Sequence, residues 1–275
     1  MVRIMLNPTK AEAIAMLRGG LAEQFQKISA SYVLPICWLC ADNGKPLILG
    51  SGTAFMLNCG SHPFLVTANH VYEGYLHSKS VHEDTVCLLG DLKFPLEDRS
   101  IARDSVVDVS TFRLEPSEVS ILQNSSNPKL VLTNGDENWP PASPKVDCGV
   151  FFAGFPGDGR SLRKYRGNSN VEIDWNGYTA LAVATAVSET DITLVFEHES
   201  NFDVGLRPKA PDDQSLGGCS GAPLLSFIER NGVFSWALCG IIYEASGQIL
   251  KASCANCLNA DGSINKHPNP MAYLR

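Results

Sequence analysis

Apolar residues along this chain gather in short runs broken by Gly, Pro, Asn, Asp and Ser, which is the punctuation of β-strands and turns. The pattern predicts strands at 32–40, 46–57, 63–69, 85–90 and 108–114. A second series is expected at 149–155, 179–187, 191–197, 222–228, 233–243 and 248–252. Helical spacing occurs near the start, where Asn7-Pro8-Thr9 offers a helix start and Lys10 to Lys27 carries apolar residues three and four apart, weakened by Gly19-Gly20. The stretch 116–146, rich in Pro, Ser, Asn and Asp, reads as a linker. The expected organisation is a helical extension (1–30), a first β lobe (31–115), the linker (116–146) and a second β lobe with a C-terminal tail (147–275). Two antiparallel β-barrels with a cleft between them fit this pattern.

Composition narrows the class. Of the 275 residues, 44% are hydrophobic and 19% charged, too apolar for a disordered chain. A net charge of −7 disfavours nucleic acid as a main partner. No apolar run reaches the length needed to cross a bilayer, and no secretory signal is visible. Nine cysteines, an odd number, lie mostly inside apolar runs, so they are expected to be reduced and the protein cytoplasmic.

The candidate chemistry begins at Gly218-Cys219-Ser220-Gly221-Ala222-Pro223. Attack on a carbonyl needs a nucleophile beside backbone N–H groups able to hold the developing oxyanion, and glycines around Ser220 let the N–H groups of Gly218 and Ser220 aim at one point. Far upstream, Thr67-Ala68-Asn69-His70 ends one apolar run, and Asp108 interrupts another, Val106 to Leu114. A carboxylate in such a run is costly unless paired and hydrogen-bonded, and a histidine N–H is a suitable partner. Asp104 competes with Asp108; Asp108 is preferred because a strand follows it directly. Each residue alone has an ordinary alternative: His70 as a satisfied core histidine, Asp108 as a turn residue, Ser220 as a tight-turn serine.

Taken in order, these words resemble the chymotrypsin-like (trypsin-fold) serine peptidases, especially their intracellular bacterial trypsin-like branch. The resemblance rests on Gly50-Ser51-Gly52-Thr53-Ala54-Phe55, Thr67-Ala68-Asn69-His70-Val71, Asp108-Val109-Ser110, Ala153-Gly154-Phe155-Pro156-Gly157, Gly218-Cys219-Ser220-Gly221-Ala222-Pro223 and Gly240-Ile241-Ile242-Tyr243. It implies an all-β chain of two packed antiparallel six-stranded β-barrels, with the N-terminal helical extension added. It further implies a serine endopeptidase with Ser220 as nucleophile, His70 as general base and acid, Asp108 orienting the imidazole, and an oxyanion hole from Gly218 and Ser220. The segment from Gly240 to Ala245 would receive an extended peptide, with Tyr243, Glu244 and Ala245 contacting it. The floor of the primary pocket would lie at Gln214, beside Ser215. Asp212 and Asp213 come next to it, so no residue preference follows.

In that register Cys219 is the neighbour of the nucleophile, not the nucleophile, because the glycine directly follows Ser220. The expected partner is a protein or peptide substrate, with no cofactor and no metal. Cys37-Trp38-Leu39-Cys40 reads as strand, which sends its two thiols to opposite faces, and Cys254-Ala255-Asn256-Cys257 has helical spacing that could share one buried face. The four cations in Gly159 to Arg166 read as a solvated hairpin, and His198 as a polar strand end. A catalytically silent peptide-binding scaffold on the same fold is the alternative function.

Overall fold

The computed structural model describes residues 12, 15–42, 45–60, 62–125, 127–133, 139, 143–165, 171–195, 215–230, 233–246 and 249–265. Helix α1 (Ala22–Tyr32) leads into β1 (Val33–Asp42), β2 (Lys45–Asn58) and β3 (Phe64–Ala68), and α2 (Asn69–Val81) follows. Then come β4 (Val86–Leu89), β5 (Leu92–Lys93), α3 (Leu96–Arg99), β6 (Ser100–Asp104), β7 (Val109–Arg113), α4 (Pro116–Gln123) and β8 (Leu132–Thr133). The second lobe holds β9 (Gly149–Gly154), β10 (Arg160–Tyr165), β11 (Val171–Trp175), β12 (Tyr178–Val187), β13 (Asp191–Val195), β14 (Pro223–Arg230), β15 (Val233–Ser246) and β16 (Ile249–Cys254).

The second lobe closes into a six-stranded barrel in the order β12-β13-β16-β15-β14-β9. The first lobe departs from the six-stranded barrel expected of it. It is an eight-stranded sheet, β5-β4-β1-β2-β3-β7-β6 with β8 on β2, and among the described residues no ladder joins β5 to β6.

The long apolar runs have a simple cause: their strands are covered on both faces. On β2 and β3, Ala54, Met56 and Leu65 point into the first lobe, whereas Phe55, Leu57, Phe64 and Val66 point the other way, as the two-residue strand period requires. That outward set meets Phe151, Leu225, Leu238 and Ile241 of the second lobe in one shared core. On β9, Val150 and Phe152 fill the barrel while Phe151 faces the lobe boundary. The lobes are therefore joined by hydrophobic burial.

The N-terminal extension packs into the same joint. Phe25 of α1 stacks on Phe151 at 5.1 Å and tilts against Phe227 at 4.4 Å. A π-helical turn, Leu17–Leu21, precedes α1, and Gly20 within it adopts φ +106°. The Gly19-Gly20 pair thus breaks the helix where expected. The end of α1 is capped by the linker: Lys129 Nζ donates to the Ala30 carbonyl at 3.0 Å, and the Leu130 N–H donates to the Ser31 carbonyl at 2.8 Å. Burial pulls the Lys129 ammonium down to about 8.

Two other expectations are revised. The linker contains α4, because Pro116 occupies the first turn and Glu115 with Glu118 forms a capping box. The hairpin β10–β11 also gains a packed side that the expectation for Gly159 to Arg166 did not include: Ile173 and Trp175 pack on Cys37, Leu39 and Leu88 of the first lobe.

Candidate active site

His70 is the second residue of α2, placed where the buried strand β3 gives way to helix. The first N–H groups of a helix have no partner within it. Asp108 supplies one from a distant turn: its Oδ1 accepts the His70 backbone N–H at 2.8 Å, and its main-chain carbonyl accepts the Asn69 N–H at 3.0 Å. The other carboxylate oxygen, Oδ2, lies 2.6 Å from His70 Nδ1. An ionised carboxylate only accepts, so Nδ1 carries the proton and Nε2 keeps its lone pair. The imidazole is 47% exposed and the carboxylate 18%, so the ring reaches solvent while its anchor is shielded.

Asp108 is not inside a strand, as its apolar neighbours suggested. It ends the turn before β7 with φ +49°, a left-handed conformation uncommon outside glycine. Strain of this kind survives only where surrounding bonds determine it, and here helix capping and the imidazole both hold it. The rival, Asp104, is the last residue of β6; its Oδ1 accepts the N–H groups of Val106 at 2.8 Å and Val107 at 3.1 Å. Asp104 builds the turn that presents Asp108. Asn69 and Ser110 stiffen the same corner. Ser110 Oγ donates to Asn69 Oδ1 at 3.0 Å, and Asn69 Nδ2 donates to Glu73 at 2.9 Å.

The serine turn lies against this corner. Gly218 and Gly221 adopt φ +100° and +90°. A Cβ built on Gly52 would touch Val71, the neighbour of His70, at 2.7 Å and the Ser220 carbonyl at 3.4 Å. Cys219 N–H bonds the Leu216 carbonyl at 3.0 Å and Gly221 N–H the Ile242 carbonyl at 2.6 Å. Among the described residues no acceptor pairs with the N–H groups of Gly218 and Ser220, the two expected oxyanion donors. Cys219 is fully buried in the barrel core and burial pushes its thiol up to about 12, which disqualifies it as a nucleophile at neutral pH.

Thr53 was missed as a site residue; the available signal was its place at the head of the apolar run Ala54 to Leu57, where a hydroxyl taken into the core must find partners. It is fully buried and ties four segments together. Its N–H donates to the Ser220 carbonyl at 2.9 Å and its hydroxyl to the Gly218 carbonyl at 2.8 Å. The hydroxyl accepts the Phe155 N–H at 2.9 Å, and the Thr53 carbonyl accepts Thr67 Oγ1 at 2.7 Å. Thr53→Val keeps the shape but strands a buried carbonyl and a buried N–H. It is expected to lower unfolding free energy by about 2 kcal/mol in urea titration, with Thr53→Ser retaining most of it.

Ser220 Oγ donates to the Tyr243 carbonyl at 3.4 Å, and among the described residues it makes no hydrogen bond to His70. Tyr243 is a bulge, since the ladder with β16 slips between Ile242 and Glu244. Its hydroxyl donates to Asp191 at 2.9 Å; burial first, then Asp191 and the charges of Glu244 and Asp108, push the phenol well above its ordinary range. From Tyr243 to Ser246, β15 pairs with β16, and its ladder with β14 ends at Ile241. Among the described residues no strand pairs with its other edge there. Glu244 pairs with Lys251 at 2.8 Å in an exposed contact, and Ala245 is half-buried. Ser215 Oγ accepts the Gly217 N–H at 3.1 Å. Gln214, Asp212, Asp213 and His198 lie outside the described residues.

All nine thiols are free. Cys37 and Cys40 are both buried on β1, and Cys254 and Cys257 flank a short 3-10 turn, also buried. Among the described residues no three His, Cys, Asp or Glu side chains gather as metal ligands. No described helix is long and apolar enough to cross a membrane.

No protein-family model matches the chain, and no curated protein matches it significantly. Among solved structures, the chain is similar to the active form of the Rv3671c protease from M. tuberculosis, with 17% identity, 93% of this chain and 86% of that chain covered, and a TM-score of 0.46. It is also similar to a human pathogenic astrovirus serine protease, with 12% identity, 85% and 93% coverage, and a TM-score of 0.36.

Proposed function

We propose that this chain is a serine endopeptidase working through an acyl-enzyme. The observation that carries the proposal is Asp108, which commits one carboxylate oxygen to the backbone N–H of His70 and the other to its Nδ1. That pairing places the ring proton on Nδ1 and leaves Nε2 as the acceptor, in a corner that borders the serine turn through Gly52. A peptide would add itself to the open edge of β15 at Tyr243–Ser246. Ser220 Oγ would leave the Tyr243 carbonyl, pass its proton to His70 Nε2 and attack the scissile carbonyl. The N–H groups of Gly218 and Ser220 would hold the oxyanion. His70 would return the proton to the departing amine, then draw one from water, whose hydroxide equivalent releases the acid and regenerates Ser220. No step requires a metal or cofactor. The free, largely buried thiols support placement in a reducing compartment such as the cytoplasm.

The present contact of Ser220 Oγ with the Tyr243 carbonyl favours a second reading, a peptide-binding scaffold without turnover. A fluorophosphonate probe separates the two. The wild-type chain is expected to label stoichiometrically and Ser220→Ala to lose the label. An unlabelled but folded wild type supports the scaffold, and a label that persists in Ser220→Ala overturns the nucleophile.

A further inference from the structure

We infer that Arg160 forms a carboxylate-recognition site on the leaving-group side of the scissile bond, so that the peptides cleaved carry an acidic group just after that bond. The inference rests on the acyl-enzyme proposal and adds a substrate class to it.

Arg160 opens β10, in the hairpin that leaves the second lobe and packs on the first. Its Nη1 donates to Ser51 Oγ of β2. The position relative to the serine turn follows from Gly157. A Cβ built there would lie 3.8 Å from Arg160 Nη1, 3.9 Å from Ser51 Oγ and 3.5 Å from the Gly217 carbonyl. The Gly157 N–H also donates to that carbonyl, at 2.6 Å. Gly217 immediately precedes Gly218, one of the proposed oxyanion donors. The guanidinium and the residue before Gly218 therefore border the same glycine, Gly157, on the flank of the serine turn.

Three features make this cation a recognition group. A guanidinium has five N–H donors in a planar fork suited to a carboxylate, and a neutral hydroxyl takes one of them here. Among the described residues no Asp or Glu pairs with Arg160, in contrast to Arg99, which holds both Glu115 and Glu118. Its surroundings, Ser51, Gly157 and Gly217, are small, so no side chain of theirs blocks approach from the cleft. The acyl half of a peptide would follow the edge of β15 at Tyr243–Ser246. Ser51, Gly157 and Arg160 belong to other segments, β2 and the β9–β10 connection, and the leaving half would pass over these.

Acyl transfer tests the site without knowledge of the natural substrate. With p-nitrophenyl acetate as donor, Ser220 Oγ attacks the ester and nitrophenolate departs, leaving acetyl-Ser220. An added amine then attacks that ester, passes its proton through His70 to the departing Ser220 oxygen, and leaves as its N-acetyl derivative. The amine occupies the leaving-group side, so its partitioning against water reads that side alone. The acceptors are glutamic acid amide, glutamine amide and lysine amide, together with glycine and glycine amide, which separate a side-chain carboxylate from a chain-terminal one.

The full-length wild type is expected to acetylate a carboxylate-bearing acceptor, glutamic acid amide or glycine, at least about tenfold better than its neutral counterpart. Arg160→Gln should bring that ratio to about one, and Arg160→Glu should favour lysine amide. Arg160→Lys, the mildest change, should retain the sign of the preference. Equal partitioning in the wild type, or a preference unchanged in Arg160→Gln, overturns the site. Absence of a nitrophenolate burst from folded wild type instead overturns the acyl-enzyme proposal beneath it.

Discussion

Asp108→Asn is expected to lower turnover by about 10⁴-fold while leaving the fold intact. The substitution keeps an acceptor for the His70 backbone N–H, so Asn Oδ1 settles where Asp Oδ1 now accepts at 2.8 Å. Its amide nitrogen must then face His70 Nδ1, where Oδ2 now lies at 2.6 Å. An amide nitrogen only donates, so Nδ1 becomes the acceptor and the ring proton moves to Nε2. The imidazole then carries its proton on Nε2 and cannot accept the one that the proposed mechanism takes from Ser220. The measurement is the nitrophenolate burst rate of variant and wild type, with thermal unfolding as the control for the fold. Asp104→Asn is the informative comparison. Its carboxylate is spent on the N–H groups of Val106 and Val107, so stability should fall more than rate. A rate loss in Asp104→Asn larger than in Asp108→Asn would reverse the assignment.

How much of this was legible in the residues follows from what covers them. Strands β3, β9 and the second half of β2 stand out as apolar runs because the lobe boundary buries their second face, and their bounds fall close to those expected. Strand β6 was missed because Ser-Ile-Ala-Arg-Asp leaves most of its side chains partly or fully exposed and resembles a polar connection. Helix α4 was missed because Pro116 signals a break and a helix start equally well, and only the position of Glu118 distinguishes them. Closure of the first lobe depends on which edges pair, and apolar patterning does not encode that. At the site, the cost of an unpaired carboxylate led to Asp108 and His70. The same reasoning applied to neutral hydroxyls would have reached Thr67, inside an apolar run, and Thr53, at the head of one, both fully buried. Arg160 gave no comparable signal, because one cation in a basic stretch is ordinary until the hairpin is seen to pack on the first lobe and reach Ser51.

Gly221→Ala is expected to be the most damaging single change in the serine turn. At φ +90° the residue occupies a conformation that L side chains rarely adopt. The added Cβ would lie 2.0 Å from the Thr53 carbonyl oxygen, 2.3 Å from Thr67 Oγ1 and 3.0 Å from the Ala68 nitrogen. Two of these are backbone atoms of buried strands, so rotating a side chain cannot relieve the contact. The turn cannot simply retreat, because the Gly221 N–H is held by the Ile242 carbonyl at 2.6 Å. Left-handed strain and overpacking together should cost about 3–5 kcal/mol. That is a large share of a typical domain's stability and corresponds to a loss of roughly 10 °C in Tm. Displacement of the turn would also carry the Gly218 and Ser220 N–H groups away from the developing oxyanion, for a further loss of about 10²–10³ in rate. Gly217→Ala, four positions upstream, is the control: among the described residues its new Cβ would meet Ser215 Oγ alone, at 3.1 Å, a side-chain atom that can move. Calorimetry and burst kinetics on the pair should show Gly221→Ala crippled and Gly217→Ala near wild type. Equal melting temperatures for the two would mean that the serine turn does not sit against β2 and β3 as described.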